Sequence, residues 1–448
     1  MILPSPKIVV IDDNPSDVAA IVQGFVALGT AALGFHYSSE VTDFNTFPCL
    51  RLLFLDLHLL EGAGSSDQQI KNTIGVLSNV LTGDNGPYVV VLWSSHVPSE
   101  FELFKDEVMR RLPVLGLPIP LQLMPLDKVD FIVTRDGKRC LESPEKLRDA
   151  IMERIRNCPQ LAVLLSWEED VSRAADDAIR QIFRLSGEME DGSSEAMASK
   201  LGHVLGEIAV ASVGFHNAKE GVFRGINDVL MQVVADRLQH RSMKPDTNKL
   251  WQEAVPEVNK DSTLSKRDAA LLNNFLHLER QELLDRTHPW ERGVVVSLSK
   301  QSDQEFTELW GRSKNEILPE FCIKPETMTG AQALIVEWIM VQAQPACDQA
   351  QRNLGLLPFL LGLRGKFSNG KLDDMRKKKN LWVSPAFPED KEEHHFVFHL
   401  RFVAGLHQKF VENFAKEVRY RFRDPILAEL TYELHTYGGR PGIIRFPR

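Results

Sequence analysis

The sequence is short of most features that mark a specialised protein. Its 5 cysteines, at positions 49, 140, 158, 322 and 347, include no Cys-x-x-Cys pair. That spacing argues against a zinc ribbon or a disulfide scaffold and favours free thiols in a reducing compartment. No apolar run approaches the roughly 20 residues that a membrane span needs. Residues Met1 to Lys7 lack the charged start, apolar stretch and cleavage site of a signal peptide, so a cytoplasmic location is expected. Excess positive charge is missing too. Lys+Arg 52 against Asp+Glu 61 leave a net charge of -9, which disfavours nucleic-acid binding by the surface as a whole. What remains is ordinary globular composition, 43% hydrophobic and 25% charged, in a chain of 448 residues. At about 100–200 residues per domain, that length holds two to four domains.

The first third carries the clearest chemistry. Lys7–Ile11 is a short Val/Ile run closed by Asp12-Asp13-Asn14-Pro15, which reads as a strand buried on both faces. An amphipathic stretch follows from Ser16 to Leu28, with Val18, Ile21, Val22 and Phe25 on one side. Further strands are expected at Ala31–Tyr37, at Leu52–Leu55 before Asp56, and at Tyr88–Trp93 before Ser94-Ser95-His96. A fifth, Leu121–Met124, precedes Pro125-Leu126-Asp127-Lys128. Alternating strand and helix predicts an α/β doubly wound parallel sheet, with ligands bound beyond the carboxyl ends of its strands. Polar residues gather at those ends. Asp12 and Asp13 can hold Mg²⁺ through carboxylates and waters, with Asp56 and the backbone carbonyl of His58 completing the shell. Asp56 can act as nucleophile toward a phosphoryl group. Ser94, or its neighbour Ser95, can donate a hydrogen bond to a phosphoryl oxygen, and Lys128 can balance its charge.

This constellation resembles the receiver domain of two-component response regulators over roughly residues 5–135, carried by Ile11-Asp12-Asp13, LFLDLHL around Asp56 and VVVLWSS ending at Ser95. The resemblance implies a flavodoxin-like fold, Asp12 and Asp13 as the acidic metal pair, and Asp56 as the phospho-acceptor. It makes Ser94 the hydroxyl after strand four and Lys128 the lysine after strand five. Departures from the family pattern are a short second helical segment at Glu40–Pro48, a Gly/Ser-rich link at Gly62–Ser66, and Val129 where a proline usually follows the lysine. Leu126 also stands near the place of the usual aromatic switch residue. A histidine kinase or histidine-kinase-like ATPase is the implied partner, with docking without phosphorylation as the alternative.

The rest reads as architecture. We expect boundaries giving a receiver-like domain at 1–138, a helical domain at 139–287 and a mixed strand and helix (α+β) domain at 288–448. Ser143-Pro144-Glu145 starts a helix, and a longer one is expected from about Gln160 to Leu185. Others are expected at 195–212, 219–240 and 264–286, together forming a bundle. No basic recognition helix is evident, which disfavours a DNA-binding transcription regulator. Strands are expected at Gly293–Leu298, Ala333–Ala343, Leu381–Val383 and Phe396–Phe402, then a closing helix over 408–422 or on to Tyr437. Cys347 with His394, His395 or His399 offers the residue types of a cysteine-dependent hydrolase, or of a metal site, without the spacing of either. Arg376–Lys379 is a dense basic run. Pro345-Ala346-Cys347-Asp348 and the closing Arg423–Leu430 segment loosely resemble C-terminal regions of uncharacterised bacterial proteins that carry receiver-like domains, some near phage-defence genes. That implies a signalling or defence partner and supplies no enzymatic activity.

Overall fold

Val9, Val10 and Ile11 offer no polar face to water, so the first strand needs cover on both sides. A computed structural model of the chain describes residues 5–38, 46–59, 66–95, 97–187, 194–241, 245–255, 264–279, 284, 287–328, 335–350, 355–390, 392–415 and 417–439. In it β1 (Ile8–Asp12) lies within a sheet with β2 (Leu33–His36), β3 (Leu52–Leu55), β4 (Val89–Ser94) and β5 (Gln122–Asp127). The order is β2-β1-β3-β4-β5 and every pairing is parallel, the flavodoxin-like order expected of the α/β reading.

Alternate strand residues feed two cores. Val9, Ile11, Leu53, Leu55, Val90 and Leu92 pack against α2 (Ser66–Val80) through Ile70, Ile74 and Leu77, and against α3 (Val97–Val114) through Phe104, Val108 and Leu112. Val10, Phe54, Val91, Trp93 and Met124 face the other way, onto Ala20, Ile21 and Phe25 of α1 (Pro15–Ala27). Asn14 starts α1 by accepting from the Ser16 N–H, and Pro15 supplies a pre-set first turn. Between β2 and β3 the described residues, 37–38 and 46–51, hold no helix; Phe47 and Leu50 plug the core directly. The rest of the short Glu40–Pro48 segment lies outside the described residues.

Past Lys128 the chain does what the sequence reading missed. It forms a two-stranded ribbon, β6 (Ile132–Arg135) and β7 (Lys138–Leu141), joined by Asp136 (φ 52°) and Gly137 (φ 74°). Asp-Gly with two positive φ angles is the favoured tight hairpin turn, so the signal was present. Leu141 reaches α1 so closely that a Cβ on Gly24 would sit 2.2 Å from it. Then come α4 (Pro144–Arg156), capped by Ser143, and α5 (Pro159–Gly187).

The chain divides into two compact units, Met1–Ala174 with Leu238–Val258, and Ala175–Arg237 with Asn259–Arg448. Helices follow at Ser194–Val213, Phe215–Glu220, Val222–Gln239, Pro245–Ala254 and Lys266–His277. They do not close the expected bundle core. Their own buried cluster is Ala209, Val213 and Ala218, while Ile179, Phe183, Phe215 and Phe223 stay exposed. The helical stripe was read correctly as periodic; among the described residues little packs against it.

The second unit's sheet has β8 (Val294–Ser297), β9 (Val336–Gln342), β10 (Leu357–Gly365), β11 (Leu381–Val383), β12 (Phe387–Glu389), β13 (Glu392–Leu406) and β14 (Val418–Arg421). Its order is β11-β13-β10-β9-β8-β14, with β12 beside β13, and its pairings are antiparallel. The sequence reading missed β10, the buried strand between β9 and β13. The expected closing helix is in fact two, Gln408–Phe414 and Asp424–Gly438, because β14 intervenes to pair with β8. Among the described residues no helix is long and apolar enough to cross a membrane.

Candidate functional site

Parallel strands end on the same side, so the residues that close them meet. Ile11 lies level with Leu55, Leu55 with Leu92, and Ser94 with Asp127. This register brings Asp12, Asp13 and Asp56 together, each with a carboxylate oxygen within 4.8 Å of the others. Asp12, Asp56, Ser94 and Lys128 are all buried, and Asp13 is partly exposed. Ser95, the rival hydroxyl, is exposed.

Lys128 binds the cluster together. Asp127 caps the short turn Lys128–Asp130 through the Val129 N–H, and that turn aims the lysine back over the sheet edge. Its Nζ lies 2.6 Å from Asp56 Oδ2, 2.7 Å from Asp12 Oδ2 and 3.4 Å from Asp17 Oδ2. Asp17, in the first turn of α1, was not singled out from the sequence. It is an acid four residues before Ile21 on the buried helix face, which was the available clue. Arg139 of β7 grips Asp17 with both ends of its fork, Nε to Oδ1 at 2.5 Å and Nη2 to Oδ2 at 3.0 Å.

The charges do not balance. Three buried carboxylates share one buried ammonium and one half-exposed guanidinium. Burial, then the neighbouring Asp56, push the Asp12 carboxyl up to about 7, against the opposing pull of Lys128. Burial alone would lower the Lys128 ammonium; Asp56 and Asp12 outweigh it and carry it to about 12. Asp12 Oδ1 accepts from the Asn14 N–H at 2.9 Å, while Oδ2 faces the Lys128 ammonium that it shares with Asp56. A hard divalent cation fits that donor set: oxygen ligands only, within 4.8 Å of one another, with surplus negative charge. Asp56 Oδ1 accepts from the His58 N–H at 3.2 Å, which keeps the His58 backbone beside the acids. The His58 imidazole turns away, with Nε2 2.9 Å from Glu100 Oε2 on α3.

The C-terminal candidates are not brought together. Cys347 lies on the short helix Ala346–Ala350, and its side chain is outside the described residues. His395 is level with Gly365 and Val336, at one end of β9, whereas Cys347 follows Gln342 at the other. At about 3.3 Å per residue those two ends of β9 lie roughly 20 Å apart. All three histidines are engaged elsewhere. Burial lowers His399 to about 4; its Nδ1 accepts from the Arg401 N–H, so Nε2 is left to pair with the Asn380 amide at 2.8 Å. His395 Nδ1 is 3.0 Å from the Ser384 carbonyl.

His394 Nδ1 lies 2.6 Å from Glu389 Oε2, at a cavity of about 880 Å³ lined also by Glu337, Trp338, Arg364 and Arg419. Burial, then Arg364, lower the His394 imidazole. Arg364 is held by Glu337 and Glu389, and Arg419 by Glu337 and Glu417, so this network is paired within itself. In the basic run, Arg376 and Lys377 pair with Asp373 and Asp374, which dilutes its field.

No protein-family model matches the chain, and no curated protein is similar to it in sequence. Among solved structures, the low-resolution structure of the response regulator StyR is similar with a TM-score of 0.20 and 14% identity, over 56% of this chain and 99% of that one. At that TM-score the likeness adds nothing to the fold assignment, which rests on strand order and direction.

Proposed function

We propose that the first unit is a receiver-like switch, phosphorylated on Asp56 with Mg²⁺ and read by a protein partner. The observation that carries this reading is one lysine, Lys128, spanning the buried carboxylates of Asp56 and Asp12 at the carboxyl ends of a parallel sheet. Mg²⁺ held by Asp12, Asp13 and Asp56 supplies positive charge that lets one anion approach another. An Asp56 carboxylate oxygen forms the new bond to phosphorus as the bond from phosphorus to the donor's leaving oxygen or nitrogen breaks, and that atom departs with its electron pair. Lys128, already 2.6 Å from Asp56, neutralises the added charge, and Ser94 donates to a phosphoryl oxygen. The second unit then responds to altered charge at one sheet edge. A histidine kinase or related ATPase fits as donor, and a role in phage defence fits the loose C-terminal resemblance.

The test is incubation with Mg²⁺ and acetyl phosphate followed by intact mass. Addition of one phosphoryl group, lost in Asp56→Asn and on omission of Mg²⁺, is the expected result. No addition, or addition that survives Asp56→Asn, removes the phospho-acceptor reading and leaves docking alone.

A further inference from the structure

Lys128 is shared unequally. Its contacts with Asp56 and Asp12 are 2.6 and 2.7 Å, but Asp17 is held only at 3.4 Å. A phosphoryl group on Asp56 brings new anionic oxygens into reach of the ammonium. The longest of the three contacts is the one most cheaply given up, because Coulomb attraction weakens with distance. Asp17 is buried and cannot turn to water for a substitute. Its other partner is Arg139, in a bidentate pair whose shared charge is strongest when no second cation competes.

Arg139 belongs to the ribbon of β6 and β7, which follows the Lys128 turn and leads straight into α4. The ribbon's open end, where Ile132 pairs with Leu141, is fixed by Leu141 against Gly24, and Lys146 of α4 donates to the Asp130 carbonyl at 2.8 Å. The ribbon therefore lies in the chain between the Lys128 turn and α4, and Arg139 joins it to Asp17.

We propose that Asp17 and Arg139 convey the state of Asp56 to the β6–β7 ribbon: when Lys128 is drawn to the phosphoryl group, the Asp17–Arg139 pair tightens and the ribbon is held more firmly. Arg139 here is a positioning residue that never meets the phosphoryl group. The inference rests on the phospho-acceptor reading.

The experiment is hydrogen exchange on the full chain, with and without Mg²⁺ and beryllium fluoride, a mimic of the aspartyl phosphate. Two peptides are read, one holding Asp56 and one spanning 132–141. In the wild type both should slow, the ribbon by several-fold. In Arg139→Met the Asp56 peptide should still respond while the ribbon response is lost, and Arg139→Lys, which restores the charge without the fork, should recover part of it. Arg139 is 40% exposed at its side chain, so these variants disturb little packing. A wild-type ribbon unchanged while the Asp56 peptide responds, or an Arg139→Met ribbon that responds like the wild type, overturns the link alone. Silence at both peptides overturns the phospho-acceptor reading and the link with it.

Discussion

Replacing Lys128 with Met keeps the length of the stem and removes the charge, leaving Asp12, Asp17 and Asp56 with no buried ammonium. Breaking a buried ion pair from one side typically costs about 3–5 kcal/mol, because the partner is left charged and unpaired. Protonation limits the loss. With the lysine present, Asp12 is already raised from 3.8 to about 7, and without it the carboxyl rises further. A folded-state acid with a raised pKa costs nothing below its unfolded value. The cost grows as pH climbs from there to the folded pKa, at about 1.4 kcal/mol per unit. The Lys128→Met deficit should therefore be several kcal/mol at pH 8 and much smaller at pH 5, and Mg²⁺ should narrow it. Native-state hydrogen exchange of the β1 and β3 amides reads this unit by itself, which a single melting curve of a two-unit chain does not. A deficit under about 1 kcal/mol at pH 8, or one equal at both pH values, would refute the electrostatic account.

If Asp12 titrates near 7, a cation and a proton compete for it, so apparent Mg²⁺ affinity should rise towards tenfold per pH unit up to about pH 7 and then level. Calorimetry from pH 5.5 to 8.5 checks this, and a flat profile sinks it. In the second unit His399 is lowered from 6.5 to about 4, so the unfolded chain takes up the proton first and stability falls as pH drops through that window, by up to about 3 kcal/mol. His399→Gln should flatten that acid limb, measured as the pH dependence of β13 exchange; an unchanged slope assigns it elsewhere. Gly362→Ala sets a Cβ 2.5 Å from the Phe398 ring and 2.7 Å from the Val397 carbonyl, so at least 1–3 kcal/mol, the usual cost of overpacking, should be lost from the second unit. Exchange of the β10 and β13 amides as slow as in the wild type would contradict that crowding.

What could be read from the residues follows from how local the signal is. KIVVI, LLFL and YVVVLW are continuous apolar runs closed by polar residues, and a parallel sheet needs little else to be recognised. The same runs placed Asp12, Asp56, Ser94 and Lys128 at strand ends, where the register brings them together. Asp17 and Arg139 were hidden because their pairing joins a helix start to a hairpin 122 residues away. β10 was hidden for another reason. LPFLLGLRG is apolar on both faces and shows no period, and its place depends on neighbours from β9 and β13. The helical stripe from Leu164 to Ile182 was legible as a helix, but periodicity cannot say whether anything covers it.

The two charged clusters of this chain separate on the balance of their charges. Around the cavity of the second unit, Glu417, Arg419, Glu337, Arg364 and Glu389 alternate in sign, so each group is satisfied by the next. Such a chain needs no visitor and accounts for its own burial. Around Lys128 the buried carboxylates of Asp12, Asp17 and Asp56, with Asp13 beside them, draw on one ammonium and the half-exposed guanidinium of Arg139. Burial raises the Asp12 carboxyl to about 7. A well-packed apolar edge would be more stable than that arrangement. Burial without balance would be explained by a positive charge arriving from outside, and the divalent cation we propose at Asp12, Asp13 and Asp56 would supply it. The excess of acid over base is therefore the part of the site that fold stability does not account for, and it is the observation on which the proposed cation rests.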